Sequence, residues 1–599
     1  MALQRQDITA GTLTDALETA LEQMRRDRIV SRILDRDHTV WKPDPTEISN
    51  RLGWLDSPAT LTAELDSIKA FVQEVRNEGF THALLLGMGG SSLAPEVFRR
   101  IFGAASGHLD LRVLDSTDPS AVKAAFDASP AATTLYLPAT KSGGTVETLS
   151  FLKYGYQHAR QSLGAEAGRS FAAITDPGSG LADLAAELNF RHIFLNDPDI
   201  GGRYSALSMF GIVPAALCGV DVAALLAAGQ TAVDELTQLD VDAPSVLLGA
   251  LLGVGARHGR DKLTLRATPS LAPFGVWIEQ LIAESTGKEG HGILPVEGEP
   301  VGEPQEYSEN RLFVESRLAT DAEDTESEGS EIGAAGPTGA GAGTRATLDQ
   351  LSQAGHPAAR ILVETPTDLG AEMVRWEIAT IVASHLLQIN PFDQPDVESA
   401  KIQARAMVSS YQETGELPST QISFSEGPVD ASGDVTGKSL VELWQGVLSS
   451  STTSYIALQA YLPPSQDTDD ALLLLRRHLR DATMKATTSG YGPRFLHSTG
   501  QLHKGDGGKG LFIQLTCDDE NDVPIPDDAG SGSQVAGAQV DGSQVAASTM
   551  DFGVLKAAQA LGDAQALRQG SRTVIRLHMR GSISAALQRL TQTLETSIN

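Results

Sequence analysis

The sequence predicts an α/β protein built on parallel sheets, and three observations carry that prediction. Short apolar runs rich in β-formers recur along the chain. Helix-length segments separate them. Glycine- and hydroxyl-rich turns follow several of the strand-like runs, where parallel sheets bind their ligands.

The first third alternates most clearly. Residues 83–86, 111–114, 134–137, 171–175 and 192–195 read as buried strands, with helices at 119–128, 145–160 and 179–188 between them. A second alternating unit is expected from about 261 to 405. Its strands are 263–266, 312–315 and 360–363, and its long helices are 274–284 and 371–387. The remainder mixes helix and strand signals and reads as an α+β domain. The expected divisions are an N-terminal helical segment at 1–60, a first domain at 61–225, a second at 226–425 and the C-terminal domain at 426–599. Two inserts interrupt this plan. Residues 321–345 begin acidic and turn Gly/Ala-rich, and 527–549 repeat GSQVA, so both read as disordered.

The chain of 599 residues is 41% hydrophobic, enough for large cores. Lys and Arg number 46 against 76 Asp and Glu, a net charge of −30 that disfavours nucleic acid and anionic membranes. Two cysteines, Cys218 and Cys517, make no zinc pattern and suit a reducing compartment. Residues 1–30 carry charges throughout and no apolar signal-peptide core, so the expected location is the cytoplasm.

Five motifs carry chemistry. Gly87-Met-Gly-Gly-Ser-Ser92 follows a strand and precedes a helix, an arrangement in which glycines let the backbone approach an anion. It lacks the third glycine of a dinucleotide fingerprint and the Gly-Lys-Ser/Thr of a P-loop. Thr140-Lys-Ser-Gly-Gly-Thr145 also links a strand to a helix, and its hydroxyls favour a phosphate monoester over a pyrophosphate. Gly201-Gly-Arg-Tyr-Ser205 offers an arginine for a developing oxyanion. Glu284 stands near the end of an apolar helix that breaks at Gly287, a poor place for a merely stabilising carboxylate. In Asn390-Pro-Phe-Asp-Gln-Pro-Asp-Val-Glu-Ser-Ala-Lys401, Gln394 and Lys401 lie two helical turns apart and could face one ligand.

Taken together and in this order, these motifs resemble the phosphoglucose isomerase family. The segments His38-Thr-Val-Trp-Lys-Pro-Asp-Pro45 and 491–504 resemble more closely the isomerase half of the bacterial bifunctional transaldolase/glucose-6-phosphate isomerases. A transaldolase-like barrel is not expected before Ala83, where there is no room for one. The resemblance implies two sugar-isomerase domains, each a parallel sheet flanked by helices, with the site between them. It implies interconversion of glucose 6-phosphate and fructose 6-phosphate through an enediol(ate), with no metal or cofactor, and it admits a homodimer. Carried over, Thr140, Lys141, Ser142 and Thr145 match the phosphate loop, and Gly89 and Ser91 the first glycine turn. Arg203 matches the enediolate-stabilising arginine and Glu284 the proton-transfer carboxylate. Gln394 and Lys401 match the late substrate-binding pair, with Lys401 counted among the catalytic groups. Asp396 replaces the glycine of the usual Gly-Val-Glu, which bears on the backbone leading to Lys401.

Ring opening calls for a histidine, which moves protons both ways near neutrality. The usual chain order points to His356. Leu496-His-Ser-Thr-Gly-Gln-Leu-His-Lys-Gly505 matches the His-Ser-x-Gly-Gln version of the motif better, which favours His497, with His503 second. The alternatives are a phosphosugar-binding protein without catalysis, and an isomerase that also accepts mannose 6-phosphate.

Overall fold

A computed structural model describes residues 6–321, 346–527 and 550–598. Apart from Asp321 and Asp527, the two inserts lie outside the described residues.

The first sheet is entirely parallel. Its spatial order is Asp110–Leu114, His82–Gly87, Thr134–Ala139, Ala172–Thr175, His192–Leu195. His82–Gly87 and Thr134–Ala139 are buried almost throughout, as strands covered on both faces must be. Helices Leu93–Phe102, Pro119–Asp127, Val146–Leu163 and Gly180–Glu187 connect them. The second sheet runs Gln6–Thr9, Ala358–Val363, Arg311–Leu318, Lys262–Ala267, Leu294–Val296. Four of its strands are parallel, and Gln6–Thr9 closes the edge antiparallel. The N-terminal segment, read as helical, therefore also lends a strand to the distant second sheet. Its helices Thr14–Arg26 and Ile29–Leu34 follow.

One continuous apolar core runs beneath the first and second sheets. At its centre helices Pro244–Arg257 and Leu369–Leu387 pack backbone to backbone. A Cβ at Gly249 would lie 2.5 Å from the Ala379 carbonyl oxygen, so only glycine permits the approach.

The C-terminal unit has its own core and a six-stranded mixed sheet. The order is Ile422–Glu426, Val429–Gly433, Thr573–Met579, Gly510–Cys517, Tyr455–Tyr461, Ala486–Tyr491. The last four strands are parallel, and the first two form an antiparallel hairpin on one edge. This unit docks its helix Phe552–Gln569 along helix Val397–Thr414. The turn after Ala486–Tyr491 packs on the turn that follows strand His82–Gly87.

Candidate active site

The two glycine motifs meet each other. A Cβ at Gly90 would fall 2.0 Å from the Gly202 carbonyl oxygen, so the turn after the first sheet's second strand lies directly on the turn that carries Arg203. Ser205 Oγ donates to the Gly90 carbonyl across this contact at 3.2 Å. Gly89 takes φ +54°, and a Cβ there would meet Gln280 Nε2 and the His497 carbonyl oxygen, both at 2.9 Å. Ser91 is buried in the same turn. This turn thus acts as a backbone junction between the arginine, the Glu284 helix and the His497 loop.

Arg203 is 3% exposed and spends its guanidinium on protein groups. It donates to Ser285 Oγ at 2.8 Å, Gln394 Oε1 at 2.7 Å and the carbonyls of Pro391 and Asp393 at 2.5 and 3.0 Å. Its Nη1 also reaches Glu284 Oε2 at 3.4 Å. Tyr204 Oη lies 3.0 Å from the same Ser285 hydroxyl. Lys288, fully buried, donates to Asp393 Oδ1 at 2.7 Å and to its carbonyl at 2.5 Å, which fixes the loop presenting Gln394. Burial and the nearby Arg203 charge pull Lys288 down to about 8.

Glu284 lies in the last turn of helix Phe274–Thr286 and is 7% exposed. Burial raises its pKa, against the opposing pull of Arg203, His497, Gln280 and Lys401. A buried carboxylate with a raised pKa and an arginine beside it is suited to taking and returning a proton.

His497 ends the short helix Arg494–His497, just beyond strand Ala486–Tyr491. Its Nε2 lies 3.0 Å from Glu147 Oε1. The same oxygen accepts from Gln559 Nε2 at 2.6 Å, and Gln559 Oε1 accepts from Thr117 Oγ1 at 2.9 Å. Burial would raise the Glu147 pKa, but the adjacent His497, helped by Lys401, holds it below the ordinary value. Gln280 Nε2 donates to the His497 carbonyl at 2.7 Å, which ties this loop to the Glu284 helix one turn before Glu284.

The phosphate-loop residues lie at the end of strand Thr134–Ala139 and the start of helix Val146–Leu163. Thr140 and Thr145 hydroxyls bond to each other at 2.8 Å, and no side chain caps the helix. Ser142 is exposed and accepts from the Gly144 N–H at 3.3 Å. The Lys141 ammonium turns away from this loop to pair with Asp176 and with the Pro198 carbonyl at 2.8 Å. The loop therefore presents hydroxyls and backbone N–H groups at a helix N-terminus, with the lysine charge one strand aside.

Lys401 lies in helix Val397–Thr414, and its charge acts on both Glu147 and Glu284. Asp396 takes φ −87°, a conformation open to any residue.

The other two histidines lie in aromatic surroundings. His356 is 6% exposed and packs edge-on against the rings of Phe313 and Tyr307. His503 is 2% exposed in an aromatic enclosure of Phe512, Tyr455 and Phe495, and burial pushes it well below the ordinary histidine value. The structure thus brings together Arg203, Glu284, Gln394, Lys401, His497, Gly89 and Ser91, with Thr140, Ser142 and Thr145 on the neighbouring turn. Sequence reasoning gave no role to Glu147, Gln280, Ser285, Lys288 or Gln559. A signal existed for Gln280, four residues before Glu284 on the same helical face. Another existed for Glu147, in the first turn of the helix after the phosphate loop.

A sequence profile of the family described as phosphoglucose isomerase matches residues 53–292. A glucose-6-phosphate isomerase of Thermosynechococcus vestitus is 31% identical over 377 residues, covering 57% of this chain and 69% of that protein. One from Geobacter sp. strain M21 is 31% identical over 397 residues, covering 60% and 73%. Among solved structures, a glucose-6-phosphate isomerase from Chlamydia trachomatis shares the fold at TM-score 0.54 and 17% identity, covering 66% of this chain and 86% of that one. A hypothetical protein from Thermus thermophilus does so at TM-score 0.55 and 22% identity, covering 67% and 99%.

Proposed function

This chain belongs to the phosphoglucose isomerase family, and on that premise we propose how it works as an aldose–ketose isomerase interconverting glucose 6-phosphate and fructose 6-phosphate. The loop Thr140–Thr145 and the uncapped start of helix Val146–Leu163 hold the phosphate. His497, paired with Glu147, moves a proton between the ring oxygen and the C1 hydroxyl, and the ring opens. Glu284 then takes the C2 proton of the open aldose, and electrons move onto the carbonyl oxygen to give the enediolate. Arg203, with Lys401 nearby, stabilises that oxyanion; the O2 hydroxyl proton passes to O1, and Glu284 returns its proton to C1 as the O2 electrons form the C2 carbonyl of the ketose. On binding, the substrate oxygens replace Gln394 and Glu284 as acceptors for the Arg203 Nη1 hydrogens.

The single observation that carries this reading is the convergence of two proton-moving groups from different domains on one arginine-lined cleft: Glu284 at 3.4 Å from Arg203, and His497 at 3.0 Å from Glu147. A phosphosugar-binding protein without catalysis has no use for both. The substrate reading is tested by a coupled assay with glucose 6-phosphate and mannose 6-phosphate side by side. Turnover of glucose 6-phosphate supports it, and turnover of neither sugar by pure, folded protein rejects it. Among the described residues no single helix is long and apolar enough to cross a membrane. Cys218 and Cys517 are free thiols, which supports our placing of the enzyme in the reducing cytoplasm.

A further inference from the structure

Gln501 is fully buried in the short helix Gly500–Gly505 of the C-terminal unit, and every hydrogen-bonding capacity of its carboxamide is used. Its Nε2 donates to the Gly287 carbonyl at 2.9 Å and to Asp396 Oδ2 at 2.6 Å. Its Oε1 accepts from the backbone N–H groups of Asp396 at 3.0 Å and Val397 at 3.3 Å. Two donors and two acceptors around it leave only one orientation of the amide. Gly287 is the residue on which the Glu284 helix ends, and Asp396 is the residue on which the Lys401 helix begins. The Asp396 side chain at the N-cap makes no capping bond to its own helix. Gln501, from another domain, takes that place.

The junction has no slack. A Cβ at Gly505 would stand 2.3 Å from the Gly287 carbonyl oxygen and 2.5 Å from Asp396 Oδ2. A Cβ at Gly287 would stand 2.3 Å from Leu502 Cα. Gly290 N–H donates to the Gly505 carbonyl at 3.0 Å beside it. The Asp396 carboxylate is itself one of the four hydrogen-bonding partners of Gln501.

Building on the isomerase reading above, we propose that Gln501 is a positioning residue for the reaction. Its carboxamide sets the Lys401 helix against the Glu284 helix, and so sets the distance between the lysine charge and the proton-transfer carboxylate. Gln501 touches neither substrate nor reacting atoms. Its effect passes through two helix ends, and shifts of about 1 Å at a reacting centre cost on the order of a hundredfold in rate.

The test is a rescue experiment on the full chain with glucose 6-phosphate. Gln501→Glu keeps the shape and the two accepted bonds but sets a second carboxylate against Asp396. It should lower kcat by about ten- to a hundredfold with KM within about twofold, per molecule shown to be folded by circular dichroism. Asp396→Asn in that background supplies a donor to the new carboxylate and should restore kcat by about fivefold or more. Asp396→Ala in the wild-type background, which leaves Gln501 three partners, should lower kcat by a smaller factor of about three to ten. Wild-type kcat in Gln501→Glu or in Asp396→Ala overturns the proposal. So does a Gln501→Glu defect that Asp396→Asn leaves unchanged. A purely structural role would appear as a lowered melting temperature with unchanged kcat per folded molecule, and that too overturns it. Wild-type turnover, measured in parallel, reports on the isomerase reading by itself, so the two failures are separate.

Discussion

In the proposed mechanism Glu284 is the base, with burial raising its pKa and Arg203 within 3.4 Å to meet the charge that forms on oxygen. Glu284→Gln keeps the shape and removes the base. It should lower kcat by about a hundredfold or more while substrate affinity stays within a fewfold, read by steady-state kinetics and by calorimetric titration. Turnover at the wild-type level in folded protein would remove Glu284 from the mechanism. The pH profile follows from the same shift. A base works deprotonated, so kcat/KM should rise through a pH above the ordinary glutamate value of 4.5. An acid limb at or below 4.5 would mean that burial is not tuning the group. Lys141 shows how far a residue-level reading of sequence reaches. Its place in the loop suggested a direct phosphate contact, yet its ammonium is held by Asp176. Lys141→Ala should therefore raise KM by only a few fold and leave kcat nearly unchanged, because the distant phosphate is bound alike in ground and transition states.

At the scale of elements, the site depends on turns that admit only glycine. Gly90→Ala puts a methyl group 2.0 Å from the Gly202 carbonyl oxygen, and neither backbone can move without shifting Arg203. The variant should lose about 1–3 kcal/mol of stability and at least tenfold in kcat. Urea unfolding and kinetics check the two losses, and a silent substitution would show that the turn yields. The Glu284 helix carries a second carboxyl, Glu279, which burial and the neighbouring Glu297 push up to about 8. Between pH 4.5 and about 8 the folded chain holds this proton and the unfolded chain does not, so the group's contribution to stability falls as pH rises through that window. Glu279→Gln removes the dependence. Its stability relative to wild type should be more favourable at pH 8 than at pH 5, and an equal difference at the two values would contradict the assignment. These elements were legible from sequence where local pattern decides them. The five strands of the first sheet and the three named parallel strands of the second all appear as apolar runs. Strand Gln6–Thr9 was not legible, because its four residues carry one apolar side chain, Ile8, and find their partner more than three hundred residues away. The departure at Asp396 was legible as a change but not as a fit, since its partner Gln501 lies in another domain.

At the scale of the whole molecule, the cleft is complete only because three sheets meet. The first supplies the phosphate loop, Glu147 and the glycine turn, and the helix after the second sheet's strand Lys262–Ala267 supplies Glu284. The C-terminal unit supplies His497 from the end of its own edge strand, and Gln559 from helix Phe552–Gln569. The motif order alone pointed to the first two contributions. The third required a choice among three histidines; our choice of His497 rests on its facing Glu147, while His356 and His503 are enclosed by aromatic rings. The central claim is that the C-terminal domain donates the acid/base group that opens the sugar ring. It is tested most directly by kcat/KM on cyclic glucose 6-phosphate for His497→Ala beside His356→Ala. The account predicts a loss of about a hundredfold or more in His497→Ala and wild-type behaviour in His356→Ala. Wild-type turnover in His497→Ala, with the loss appearing in His356→Ala instead, would contradict it.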